Sequence, residues 1–175
     1  MKSVATALLF LSFSYLPAIA ADRIALGLDN EVSPEQNRIA SGAIDAADLG
    51  RLRAAGVRHV ISLRTEEEAQ GFAEAQIASG LGIKYHSIPI KGGESLTVEN
   101  ARKLDEALQE AGEELTLVHC ASGNRVGALI AVREAWIKGQ PVDAAVAEGK
   151  RWGLAGLEST VRSALEKDRV SGERP

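Results

Sequence analysis

The chain has 175 residues, 20 basic against 24 acidic side chains, a net charge of −4 and a single cysteine. That balance excludes the basic footprint of a nucleic-acid or membrane-surface binder, and one cysteine excludes an intramolecular disulfide framework.

Residues 1–20, MKSVATALLFLSFSYLPAIA, carry Lys2, an apolar run from Val4 to Leu16, then Pro17 and the small-residue site Ala18-Ile19-Ala20. This is the pattern of a secretory signal cleaved before Ala21. The run falls short of the roughly 20 residues a membrane-spanning helix needs. Cleavage leaves residues 21–175, which is 175 − 20 = 155 residues with 19 basic and 24 acidic side chains. That length fits one domain with an ordinary core. The expected product is a soluble periplasmic or secreted bacterial protein with no stable membrane insertion, no nucleic-acid partner and no cofactor. Its oligomeric state is not readable from the residues. In an exported protein a lone thiol is a liability unless it is buried or used.

Residues 38–43 predict a first strand. Asp45, with Asp48 three residues on, caps a helix that carries Leu49 and Leu52 on one face and ends at Gly56. Residues 57–63 form the next strand and open into Arg64. Thr65 and Glu68 then form a capping box for a helix reaching Leu81, and the run Glu66-Glu67-Glu68 suits the positive end of that helix.

A strand over residues 83–90 precedes the glycine-bearing stretch Lys91-Gly92-Gly93-Glu94-Ser95. A helix over 97–112 leads to a strand over 115–119, and further helices follow from Val126 to Lys138, from Pro141 to Gly153 and from Leu154 to Arg169. Strands separated by helices imply an α/β domain: a mostly parallel central sheet flanked by helices, with its core over about residues 38–169. Sites in such sheets lie beyond the carboxyl ends of the strands, where Cys120 falls.

The loop His119-Cys120-Ala121-Ser122-Gly123-Asn124-Arg125 concentrates the chemistry. Gly123 permits a tight turn and close backbone approach. The following helix points its positive end at the loop, favouring an anion and a thiolate. Arg125 can clamp two oxygens of a phosphate or sulfate. Cys120 is then a nucleophile that forms a thioester of phosphate, with Arg125 stabilising the equatorial oxygens. Arg64 leaves its strand on the same side as Cys120, as a second anion contact or as a capping or solvated group. His59 and His86 lack a further ligand at metal spacing and read as structural, so no metal is expected. Trp136 and Trp152 read as packing residues.

The stretch SGAIDAADLGRLRAAGVRHVISLR resembles the opening of dual-specificity and tyrosine phosphatases, and HCASGNRVGALIAVREAW resembles their catalytic loop and the helix after it. Within that superfamily the chain resembles the bacterial phosphatase-like domains also found fused to beta-lactamase-like hydrolases, over residues 38–157. The resemblance implies Cys120 as the cysteinyl-phosphate nucleophile and Arg125 as the phosphate-binding arginine. It also implies that the amides of Ala121, Ser122, Gly123 and Asn124 complete the cradle, and that His119 helps set the thiol. The implied activity is hydrolysis of a phosphomonoester, including the phosphotyrosine type, with the phosphorylated partner unidentified.

Three departures stand beside it. Four residues separate Cys120 from Arg125 where the phosphatase signature has five, and four is the spacing of rhodanese-like sulfurtransferases, which carry a persulfide. Val126 stands where most phosphatases have Ser or Thr. The loop expected to supply an aspartate general acid holds only Glu94, which is either that acid or a solvated side chain. A sulfurtransferase and a non-catalytic phosphate-binding module are therefore the alternatives.

Overall fold

The computed structural model describes residues 25–69 and 71–171. The secretory signal read over residues 1–20 lies outside the described residues. Five strands form one sheet: β1 (Val32–Glu35), β2 (Arg38–Ser41), β3 (His59–Ser62), β4 (Lys84–Ser87) and β5 (Thr116–His119). Their order is β1-β2-β5-β3-β4; β1 runs antiparallel to β2, and the other pairings are parallel. Among the described residues six α-helices accompany them: α1 (Ala46–Ala54), α2 (Glu74–Gly80), α3 (Val98–Ala111), α4 (Asn124–Trp136), α5 (Val142–Arg151) and α6 (Glu158–Ser171). This is the α/β domain with a mostly parallel sheet that the alternation of elements predicts.

Side chains alternate across the strands and build two cores. Ile39, Val60 and Leu117 face α1 and α2 with Leu49, Leu52 and Ala78. Ala40, Ile61 and Val118 face the other layer with Leu104, Leu129, Val146 and Leu165. α4 is the central helix of that layer: Val126 through Val132 are all buried.

Several local signals act as read. The Asp45–Asp48 capping box forms in both directions, and Gly56 leaves the helix at φ 98°. Thr97, the expected start of α3, is found to cap it by accepting from the Asn100 N–H. Four readings need correction. β1 was not anticipated; it is a four-residue edge strand containing Pro34, whose missing N–H a central ladder would not tolerate. Pro141 lies before α5 rather than in its first turn, with ψ 148°. α6 starts at Glu158, because residues 154–157 are taken up in contacts to α4 and α5. The helix expected from Thr65 to Leu81 is a turn followed by the short α2, with Gly71 at φ 80° between them. His59 opens β3, at the end of the sheet away from Cys120. It stacks on His86 with ring centroids 5.9 Å apart and reaches Glu114 through Nε2 at 2.9 Å. Trp152 is buried and donates to Glu148.

α4 and α5 approach backbone to backbone. A Cβ on Gly127 would lie 2.1 Å from the Leu154 nitrogen and 2.5 Å from the Gly149 carbonyl oxygen. No flexible side chain can move aside there, so the crossing admits only glycine. Gly50, in α1, has open space where its Cβ would be. Gly127→Ala is expected to lower stability by about 3 kcal/mol, and Gly50→Ala to raise it by up to about 1 kcal/mol through helix propensity. Thermal melts of the two variants beside the parent check both signs.

Candidate active site

β5 lies between β2 and β3, so the segment that leaves its carboxyl end is held from both sides. On one edge the Leu63 N–H donates to the His119 carbonyl at 2.8 Å. On the other the Cys120 N–H donates to the Ser41 carbonyl at 3.3 Å, and the Ala43 N–H to the Ala121 carbonyl at 3.1 Å. A Cβ on Gly42 would lie 3.1 Å from that same Ala121 oxygen, so the strand end can pass this close only without a side chain.

The loop then turns through Gly123, at φ 81°, directly into α4. This left-handed conformation aims the Gly123 N–H at the Cys120 sulfur, 3.2 Å away. The N-cap Gly123 offers no side chain to cap α4, and among the described residues no hydrogen bond engages its first amides, so its dipole faces the loop. The thiol is buried, whereas Ala121 and Ser122 are exposed at the lip. The helix begins two residues before the expected Val126, which puts Arg125 in its first turn.

Arg125 is anchored on its outer edge. Its Nη1 and Nη2 donate to Glu68 at 2.8 and 2.6 Å, and Nη1 also donates to the Ile90 carbonyl at 2.5 Å. The bidentate pair orients the guanidinium plane. Glu68 holds the guanidinium pKa up, and the neighbouring Cys120 pushes in the same direction. The same pair, by its hydrogen bonds from Arg125, pulls the Glu68 carboxyl down to about 2. Glu68 is one of two site residues that the sequence reading missed. Its capping box with Thr65 does form, with the Thr65 N–H donating to Oε2 at 2.9 Å, but it closes a single turn whose glutamate serves Arg125. Glu68 therefore ion-pairs with an arginine rather than compensating a helix end.

The remaining predicted residues divide. Arg64 donates from Nη2 to the Glu68 carbonyl and so braces this turn. The Asn124 side chain turns away and accepts from the Ala155 N–H at 2.8 Å, fastening residues 154–157 to the start of α4. Glu94 lies exposed in a short 3-10 turn (Gly93–Ser95) with its carboxylate folded over Gly92. Among the described residues no hydrogen bond or ion pair links it to Cys120 or Arg125. Behind Cys120, His119 is fully buried and its Nε2 lies 2.5 Å from Oε1 of the equally buried Glu74, a residue not anticipated from the sequence. Among the described residues no cluster of three His, Cys, Asp or Glu side chains could hold a metal ion.

No protein-family model matches the chain, and no curated protein matches it. Solved structures do. A candidate phosphatase of the DUF442 group from Shewanella putrefaciens superposes with a TM-score of 0.63 at 20% identity, covering 81% of this chain and 94% of that one. A candidate phosphatase from Neisseria meningitidis gives 0.60 at 18% identity, with 76% and 96% covered. A serine-for-cysteine variant of TpbA from P. aeruginosa, in complex with phosphotyrosine, gives 0.55 at 18% identity, with 90% and 95% covered.

The Glu68–Arg125 pair carries a pH signature. Glu68 has a folded-state pKa near 2 against an ordinary 4.5, so its contribution to stability is full above about pH 4.5 and is lost as pH falls towards 2. Denaturant melts should show Glu68→Gln less stable than the parent at neutral pH, with the gap closing across that acid window.

Proposed function

Because the chain has the fold of the tyrosine and dual-specificity phosphatases, we propose that it is a cysteine-dependent phosphatase that hydrolyses phosphomonoesters through a cysteinyl-phosphate intermediate. The observation that carries the reading is the convergence of three groups on one anion position: the Cys120 sulfur, the uncapped start of α4 and a guanidinium already oriented by Glu68.

In the first step the Cys120 thiolate attacks phosphorus and the ester P–O bond breaks. The leaving oxygen takes a proton from Glu94, swung in on its glycine-flanked turn, or from water. In the second step water attacks phosphorus, the S–P bond breaks, and inorganic phosphate departs with regeneration of the thiolate. The amides of residues 121–125 and Arg125 stabilise the charge on the equatorial oxygens in both steps. With residues 1–20 read as a secretory signal, the proposed place of action is the periplasm or the exterior of the cell.

A second reading has its own support. Four residues separate Cys120 from Arg125, a spacing suited to the smaller terminal sulfur of a persulfide. In that reading the Cys120 thiolate attacks the outer sulfur of a donor such as thiosulfate, the donor's S–S bond breaks and sulfite leaves; a thiophilic acceptor such as cyanide then takes the outer sulfur and releases the thiolate.

Turnover of para-nitrophenyl phosphate by the mature domain separates these readings. Cys120→Ser is expected to lose activity about a thousandfold and Arg125→Ala about a hundredfold or more. Wild-type inertness on the aryl phosphate would overturn the phosphatase reading. Cyanide-dependent turnover of thiosulfate would then select the sulfurtransferase, and phosphate binding without either turnover a binding module. Glu94→Gln is expected to slow alkyl phosphates, whose leaving groups need a proton, about a hundredfold while sparing the aryl ester; parent rates on both esters would remove Glu94 from the mechanism.

A further inference from the structure

Glu74 occupies a position where its helix calls for an apolar side chain. It shares the buried face of α2 with Ala78, four residues on, and is 3% exposed. Carboxylates are almost never buried to this degree unless paired. Its partner is His119, 0% exposed, with Nε2 at 2.5 Å from Oε1. The imidazole belongs to the residue that immediately precedes Cys120.

The pair is unsaturated. Oε2 of Glu74 and Nδ1 of His119 are both buried without a hydrogen-bond partner among the described residues. The charged and titratable groups around it are few. Tyr85 on β4 hydrogen-bonds to Ser62 and lies within electrostatic range of both Glu74 and Arg64. As a mere tie between α2 and β5 this would be a poor choice, because apolar packing commonly equals or betters a buried ion pair in stability. A carboxylate on Nε2 does something packing cannot: it fixes the ring's orientation and commits the Nε2 proton, leaving Nδ1 as the free atom.

We propose that Glu74 is a positioning residue for the nucleophile, which by holding His119 through Nε2 sets the reactivity of the Cys120 thiol. The inference rests on the reading of Cys120 as the nucleophile, but its test reads the thiol itself and needs no phosphatase turnover. A protein inert on aryl phosphate would still report on Glu74.

The test is the rate of Cys120 alkylation by iodoacetamide at neutral pH, with protection by inorganic phosphate measured alongside. Glu74→Gln, which keeps the shape of the side chain, is expected to slow alkylation about tenfold and to leave the phosphate concentration for half-protection within about twofold. His119→Asn should slow it equally, and the double variant should lose no more than either single one, since the two residues act as a unit. A wild-type alkylation rate in Glu74→Gln, or losses that multiply in the double variant, would overturn the proposal even if the melting temperature fell. Should these variants fail to fold, nitrogen-15 spectra of histidine-labelled wild-type protein decide the matter. A His119 Nε2–H that exchanges slowly with solvent supports the clamp; an absent or freely exchanging one overturns it.

Discussion

A buried thiol can serve as an anionic nucleophile only where fixed dipoles and charges surround it, since nothing in a dry site reorganises to stabilise it. Under the proposed reaction, the architecture around residues 119–125 follows from that constraint. β5 must be central, so that β2 and β3 can each hold one edge of the departing loop. The loop must turn within one left-handed residue, so that an amide meets the sulfur and the helix starts at once. The helix must then be buried along seven consecutive residues, and that burial requires the glycine crossing with α5. The packing of the α3–α6 layer and the geometry of the loop are therefore one problem with one solution.

The acidic residues behind the site obey a second constraint. Glu68 addresses Arg125 and Glu74 addresses His119, and both come from the segment between β3 and β4. In a continuous helix, residues six apart are rotated by about 240° relative to each other. Such a helix could not aim both side chains at the carboxyl end of one sheet. The break at Gly71 frees the first turn to lie over Arg125, while α2 packs on the opposite core with Glu74 turned inwards. Failure of the segment to continue as a helix is thus what lets it supply two supporting carboxylates. One of them meets a guanidinium and the other an imidazole.

The sequence made the frame of this site legible and left its supports hidden. Asp45 with Asp48, Gly56 and Thr97 mark helix ends through short-range hydrogen bonds, so their meaning is local and readable. The apolar run before Cys120 and the glycine after it are equally local. Glu68 was misread because its local signal, a capping box with Thr65, is genuine: the box forms, and only the distant Arg125 decides that the glutamate stays in a turn. Glu74 did leave a trace, since a carboxylate four residues before Ala78 and seven before Leu81 interrupts an otherwise apolar stripe. β1 escaped for the opposite reason. An edge strand built from Val-Ser-Pro-Glu has neither the periodicity nor the composition of a strand, and it is held by pairing to β2 and by Arg151 donating to the Pro34 carbonyl.

The shortened loop bears differently on the two halves of the proposed reaction. Attack on phosphorus needs a thiolate, amides on the equatorial oxygens and a guanidinium. The early start of α4 favours this step, because the uncapped amides of Asn124 and Arg125 stand where a longer loop would supply its own. Release needs more: a polar group to ease departure of the thiolate and a base for water. Val126 cannot be the first, being fully buried among the apolar residues of its layer. A hydroxyl there would have to find its partner inside the core. The site is thus better equipped to load Cys120 than to unload it.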